Sequence, residues 1–262
     1  MNITAGKLKE IVIRILEALG TPSREAETVA NFLVEVNLVG HDSHGVIRLP
    51  QYVERIREGK LKPGAKIRVV KESSTTALID GGWGFGQVIA KKAMEIGIAK
   101  AEKANVTIVC AHNCNDVGRL GGYTLMAAEH DMMGVMTVND AGANPSVAPW
   151  GGKTPILSTN PISVAIPSGR ENPILIDMAT STVALGKLQL ALQRGEKVPE
   201  GWFIDASGKF SRNPADYFSP RGALLPLGDK IAGHKGFGLS LVVDILSGAL
   251  SGAGCSSGKE ER

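Results

Sequence analysis

Eight consecutive residues of this 262-residue chain gather most of the groups needed for acid–base chemistry on a small acid. The run His41-Asp42-Ser43-His44-Gly45-Val46-Ile47-Arg48 places two imidazoles, a carboxylate, a hydroxyl and a guanidinium at one turn between two helix-patterned segments. Imidazole exchanges protons near neutrality, which suits the oxygen of a hydroxy or oxo group. Arginine grips a carboxylate with two parallel N–H bonds. A proton handler beside a carboxylate clamp is what a dehydrogenase of small acids requires. The same residues allow a second reading, in which Asp42 or Ser43 caps a helix and the histidines and Arg48 are solvated.

A second run, Asn113-Cys114-Asn115-Asp116-Val117-Gly118-Arg119-Leu120-Gly121-Gly122-Tyr123, enters as a strand, turns on glycines and leaves as a helix. Such a turn can offer backbone N–H groups and a helix N-terminus to a phosphate, or it is a plain glycine turn. The third set is Ser158-Thr159-Asn160-Pro161 with Ile176-Asp177-Met178-Ala179-Thr180-Ser181, where Asp177 can cap a following helix. The fourth is Gly222-Ala223-Leu224-Leu225-Pro226-Leu227-Gly228 with Gly233-His234-Lys235-Gly236-Phe237-Gly238-Leu239, readable as structural turns. Asn139, just past a strand end, is either a polar substrate contact or a turn residue.

Other patterns fail on spacing. Gly82-Trp83-Gly84-Phe85-Gly86 follows a strand and precedes a helix, but its third glycine comes one residue early. No acid-terminated strand follows about 20 residues on, so the dinucleotide fingerprint is missing. The run 254–259 is too short for a phosphate loop, and Glu260 stands where a hydroxyl must bind magnesium. Cys110, His112, Cys114 and Asp116 alternate as zinc-ligand types. Ligands at every second residue of one strand do not surround a tetrahedral ion, so no metal is expected.

The elements that must hold these residues read as follows. Helices are expected over 4–19 (Leu8, Ile11, Ile15 and Leu19 inward, Thr4 capping), from Thr21-Pro22 onward, and over 48–57 with Tyr52, Val53 and Ile56. Strands fall at 67–70, 76–79, 106–110, 134–138, 162–166 and 174–176; further helices fall at 87–103, 123–130, 183–194 and 239–250, with 205–233 rich in loops. This irregular alternation predicts an α/β fold with a mixed sheet. Net charge is +3 without a basic, aromatic-interleaved stripe, which argues against nucleic acid and suits a small anion or a phosphate-bearing cofactor. Three cysteines, no leader pattern and no apolar run of about 18 residues predict a cytoplasmic protein without disulfides or membrane spans.

In this order and at these separations, the four segments resemble the malate/L-lactate dehydrogenase family of the non-Rossmann type. That family includes ureidoglycolate, sulfolactate and piperideine-2-carboxylate oxidoreductases. The likeness runs from about residue 4 to residue 254. It implies a three-layer non-Rossmann α/β fold with an unusual mixed sheet and an N-terminal helical region. Residues 1–70 would form the substrate side and 71–262 the cofactor-binding domain. It implies a homodimer that moves a hydride between NAD or NADP and a small 2-hydroxy or 2-oxo acid. By the same resemblance His44 moves the proton with Ser43 as its partner and Arg48 clamps the carboxylate; Asn139 stays a candidate substrate contact on its position alone. Cofactor contacts would come from Val117, Gly118, Arg119, Leu120, Gly121, Asn160, Asp177, Met178, Ala179, Leu185, Gly186 and Lys235.

Three departures stand out. Asp116 occupies a position where the family commonly carries a catalytic histidine. A carboxyl group, with an ordinary pKa of about 3.9, is a poor proton donor at neutral pH. His44 is then the better candidate, with Asp116 near the same oxygen or the nicotinamide ribose. Lys187 stands near a site where some members use a relay acid, which points toward hydroxy acids rather than imines. Family members also continue past this chain's last residue, so the reading includes a C-terminal shortening. On that reading the helix at 239–250 exposes an apolar face, and an alternative is an impaired relative that binds nucleotide without turnover.

Overall fold

The computed structural model describes residues 3–256. Glu260 and the end of the run 254–259 lie outside the described residues.

Helix α1 (Ala5–Ala18) starts where Thr4 Oγ1 accepts the Lys7 amide at 3.3 Å. It buries Val12 and Leu16 with Ala26, Val29, Ala30 and Leu33 of α2 (Ser23–Leu38) in one core, which Leu49, Tyr52, Leu61 and Phe85 complete. Each large apolar side chain so enclosed contributes roughly 1.5–3 kcal/mol. Two 3-10 turns, Asp42–His44 and Val46–Arg48, lead into α3 (Leu49–Arg57), which has Pro50 in its first turn, where a missing N–H costs nothing.

Strand β1 (Arg68–Glu72) pairs antiparallel with β2 (Thr76–Gly84), and β2 pairs parallel with β3 (Ile108–Cys114). The parallel pair needs a long crossover, which α4 (Gly86–Ala104) supplies before ending on left-handed Asn105. The expected mixed sheet is thus present, in the order β1-β2-β3. Next come α5 (Gly121–Ala128) and the strands β4 (Gly134–Thr137), β5 (Ile162–Ile166) and β6 (Ile174–Met178), which form a second sheet in sequence order. The chain then forms α6 (Leu185–Arg194), the two-residue strand β7 (Phe203–Ile204), α7 (Ala215–Phe218), the two-residue strand β8 (Ala223–Leu224) and α8 (Asp229–Gly248).

Two compact units result. One holds the chain up to Gly134 together with Ala165–Leu175; the other holds Val135–Val164 and the chain from Ile176 onward. The second unit has its own core, with Val147, Leu157, Val183, Leu188, Phe203, Tyr217 and Leu224. Among the described residues, no helix is long and apolar enough to cross a membrane.

Three expectations need correction. Helix α1 turns Val12 and Leu16 to the core, one residue round from Ile11 and Ile15, which were expected inward and are exposed. Strand β3 runs on to Cys114 instead of stopping at 110, because the partner strand β2 extends to Gly84 and carries it along. The glycine-rich run 233–238 is helix, not turn: α8 begins ten residues earlier than its apolar pattern suggests. Gly233 lies under the Trp150 ring and Gly236 against the Leu227 backbone, so these glycines permit close packing rather than chain reversal.

Candidate active site

In the first unit, Asn37 builds the turn that carries His44. From the last turn of α2 its Oδ1 accepts the Val46 amide at 2.9 Å, and its Nδ2 donates to Asp42 Oδ1 at 2.6 Å. A side chain on Gly45 would overlap the Asn37 amide, so only glycine fits between them. Ser43 Oγ lies 3.0 Å from His44 Nδ1, a contact that restrains a half-buried ring.

Arg48 ends the second 3-10 turn. Its Nη1 donates to Gln51 Oε1 at 3.1 Å. Its buried Nε faces Asp116 Oδ2 at 3.8 Å, too far for a hydrogen bond, and has no other acceptor. Asp116 follows β3 and accepts on both oxygens. Tyr52 donates to Oδ2 at 3.2 Å, and the Gly118 amide donates to Oδ1 at 3.1 Å. Gln87, in the first turn of α4, donates to the Tyr52 oxygen at 2.7 Å. Burial, then the nearby Asp116 charge, drive the Tyr52 phenol far above its ordinary range, so it keeps its proton.

The glycine turn after Asp116 is fixed from two sides. Tyr123 donates to the Val117 carbonyl at 2.6 Å and stacks on Phe32 with ring centres 4.6 Å apart. Arg119 lies 3.7 Å from Glu35. Gly118 takes a left-handed φ of 72°, and α5 starts with neither a side-chain cap nor an acidic residue in its first turn. Gly86 lets α4 approach the Asn115 and Asp116 carbonyls, where a side chain would overlap both.

Cys114, in the same segment, is held as a thiol. Burial, with the Asp116 charge next, pushes its thiol up to about 11. Among the described residues, no group of three or more His, Cys, Asp or Glu stands ready for a metal.

The other candidates lie in the second unit. Asn139 donates to Asp244 Oδ1 at 3.0 Å and to the Gly254 carbonyl at 3.1 Å. Asn160 is fully buried; it accepts from Ser158 Oγ and donates to Ser240 at 3.2 Å. Both amides are committed to α8 or its flank. Thr180 Oγ1 donates to the Thr159 and Asn160 carbonyls at 3.1 and 2.9 Å, and the Leu227 amide donates to the Thr180 carbonyl at 2.9 Å. Asp177, Met178 and Ala179 therefore adjoin the Asn160 segment and the 225–227 loop on which α8 is seated. Leu185, Gly186 and Lys187 form the first turn of α6, which has no side-chain cap and no acid. Lys187 and Lys235 are exposed.

Three residues with a place in this architecture do not show in sequence motifs: Asn37, Tyr52 and Gln87. Only Tyr52 leaves a signal, four residues after Arg48 on the same helical face.

Comparison with known proteins gives these segments a common origin. The family model described as malate/L-lactate dehydrogenase matches residues 3–262. The malate dehydrogenase of Pyrococcus abyssi is 46% identical over 255 residues, covering 96% of this chain and 69% of that protein. The L-sulfolactate dehydrogenase of Methanothermobacter thermautotrophicus is 41% identical, covering 97% of this chain and 71% of its own length. The solved malate dehydrogenase from Pyrococcus horikoshii OT3 superposes with a TM-score of 0.88 at 42% identity, covering 98% of this chain and 70% of that one. With the family model matched almost end to end and the fold reproduced, this chain belongs to the malate/L-lactate dehydrogenase family.

Proposed function

We propose that the protein transfers a hydride reversibly between NAD or NADP and C2 of a small 2-hydroxy or 2-oxo acid. The carrying observation is the placement on consecutive 3-10 turns of a Ser43-tethered imidazole and a partly exposed arginine, in a chain of this family. Malate and sulfolactate, the substrates in the names of the relatives, are both 2-hydroxy acids with a second anionic group. A mild positive net charge of +3 accords with such acids.

Arg48 binds the carboxylate and sets C2 and its oxygen toward His44. In the oxidative direction His44 takes the hydroxyl proton as the hydride leaves C2; in the reductive direction it returns that proton to the carbonyl oxygen. Ser43, 3.0 Å from Nδ1, holds the imidazole in place. Asp116 accepts hydrogen bonds on both oxygens, which suits it to orient Arg48 and not to donate a proton.

Each unit on its own offers backbone donors of the kind a nicotinamide dinucleotide uses when bound without the fingerprint loop. The uncapped, acid-free starts of α5 and α6 can receive phosphate oxygens, with Val117, Gly118, Arg119, Leu120 and Gly121 at one and Leu185 and Gly186 at the other. Asn160, Asp177, Met178, Ala179 and Lys235 are assigned to the cofactor and Asn139 to the substrate, and Lys187 stands as a catalytic candidate in the first turn of α6. When bound, the nicotinamide supplies or takes the hydride. The working form is a homodimer, as family membership implies.

The test is a spectrophotometric panel of 2-oxo acids with NADH and NADPH. His44→Ala should lower kcat by about 100-fold or more, the usual size of a general acid–base contribution. Arg48→Ala should chiefly raise KM. Wild-type kinetics in both variants would refute the assignment.

A further inference from the structure

The Asp116 cluster contains two groups that these roles leave unused, the Tyr52 phenol and the Gln87 amide, each only 1% exposed. A phenol has one proton to donate. Gln87 donates to the Tyr52 oxygen from one side, so the remaining polar neighbour for that proton is Asp116 Oδ2. Burial and the Asp116 charge keep the proton on the phenol. Gly118 holds the other carboxylate oxygen, and Oδ2 faces Arg48 Nε. The order is directional: α4 orients α3's phenol, the phenol orients the carboxylate after β3, and the carboxylate faces the guanidinium.

We infer that Tyr52, aligned by Gln87, is a positioning residue that fixes Asp116 and, through it, Arg48 for the substrate carboxylate. This rests on the reading of Arg48 as the clamp. Neither residue needs to touch substrate; their effect passes through Asp116.

Tyr52→Phe removes the hydroxyl and keeps the ring, which packs edge-on against Phe85 at 6.2 Å. With the full chain and a 2-oxo acid that the wild type reduces, KM should rise about ten-fold or more while kcat changes less than about three-fold. Asp116→Asn should also raise KM, and adding Tyr52→Phe to it should produce no further rise. Gln87→Met should give a smaller rise, and none in the Tyr52→Phe background. An equal rise from Tyr52→Phe in the Asp116→Asn background would put the phenol on the substrate itself and overturn the inference. A fall in kcat at constant KM would do the same.

Urea unfolding of the Tyr52–Asp116 set gives a readout that needs no turnover. The two substitutions should be non-additive by about five-fold or more in the unfolding equilibrium constant. Strict additivity would break the link between the two residues and overturn the inference. Absence of turnover with every acid would instead remove the functional reading, and the unfolding cycle would then decide the Tyr52–Asp116 link alone.

Discussion

Gly45 shows how little space separates the candidate site from its scaffold. Asn37 fills the volume where a side chain would stand and holds the Val46 amide. Gly45→Ala should push the Asn37 amide aside, release that bond and let His44 drift. Lost positioning is costly to rate, so kcat should fall about ten-fold or more. The fold should lose only about 1 kcal/mol, the net worth of one hydrogen bond. Kinetics and a thermal melt on one preparation separate the two effects; a large loss of stability with unchanged kcat would contradict this account. Ser43, His44 and Arg48 were legible in the sequence because they share one short run whose chemical types are distinctive. Tyr52 was legible only as an inward helical position. Its use as a donor depends on Asp116, 64 residues away, and on Gln87, 35 residues away. Such pairings are set by tertiary packing and leave no local pattern.

At the scale of elements, helix α8 tests how glycine is used. Gly236 presses against the Leu227 backbone, whereas Gly238 has open space around its α-carbon. Gly236→Ala should therefore destabilise the protein by about 2–4 kcal/mol through an overlap that backbone cannot easily relieve. Gly238→Ala should stabilise it by about 0.5–1 kcal/mol, because alanine gives up less freedom in a helix. Chemical denaturation of the two variants should show opposite signs; matching signs would sink the packing explanation. The start of α8 is not legible in the sequence, because glycine signals chain reversal and close helix contact alike. The neighbours that distinguish the two, Trp150 and Leu227, lie outside the run. Elsewhere periodicity served the spans well. The spans expected for α1 and β5 match those observed, but the face of α1 does not: Val12 and Leu16 are buried, while Ile11 and Ile15, expected inward, are exposed.

Stability toward acid belongs to the whole molecule. Asp80 on β2 accepts from the Gly82 amide, Arg68 and Asn113, and these bonds, in that order of weight, lower its carboxyl to about 2. A folded-state value below the unfolded one gives stability that is present above the ordinary carboxylate range and is lost as pH falls from about 4 to about 2. The wild-type melting temperature should drop across that window, and Asp80→Asn should flatten this part of the profile. An unchanged slope would mean that other carboxylates govern acid unfolding. The α/β class and mixed sheet were legible from alternating periodicities. The division into two compact units was not, because the chain returns to the first unit at Ala165–Leu175 after leaving it at Gly134. No local pattern marks such a return.

The Arg48–Asp116 pair has a consequence for ligand binding. Guanidinium and carboxylate already cancel, so an incoming acid adds a negative charge that this pair does not balance. Under the proposed roles, the imidazolium form of His44 supplies the missing positive charge. Capture of an oxo acid is then coupled to proton uptake from solvent. The heat of binding the oxo acid then depends on the buffer's own ionisation enthalpy. The hydroxy acid, which must give its proton to the same ring, favours the neutral form. The acidity of the medium thereby biases which direction of the reaction the site is prepared to run.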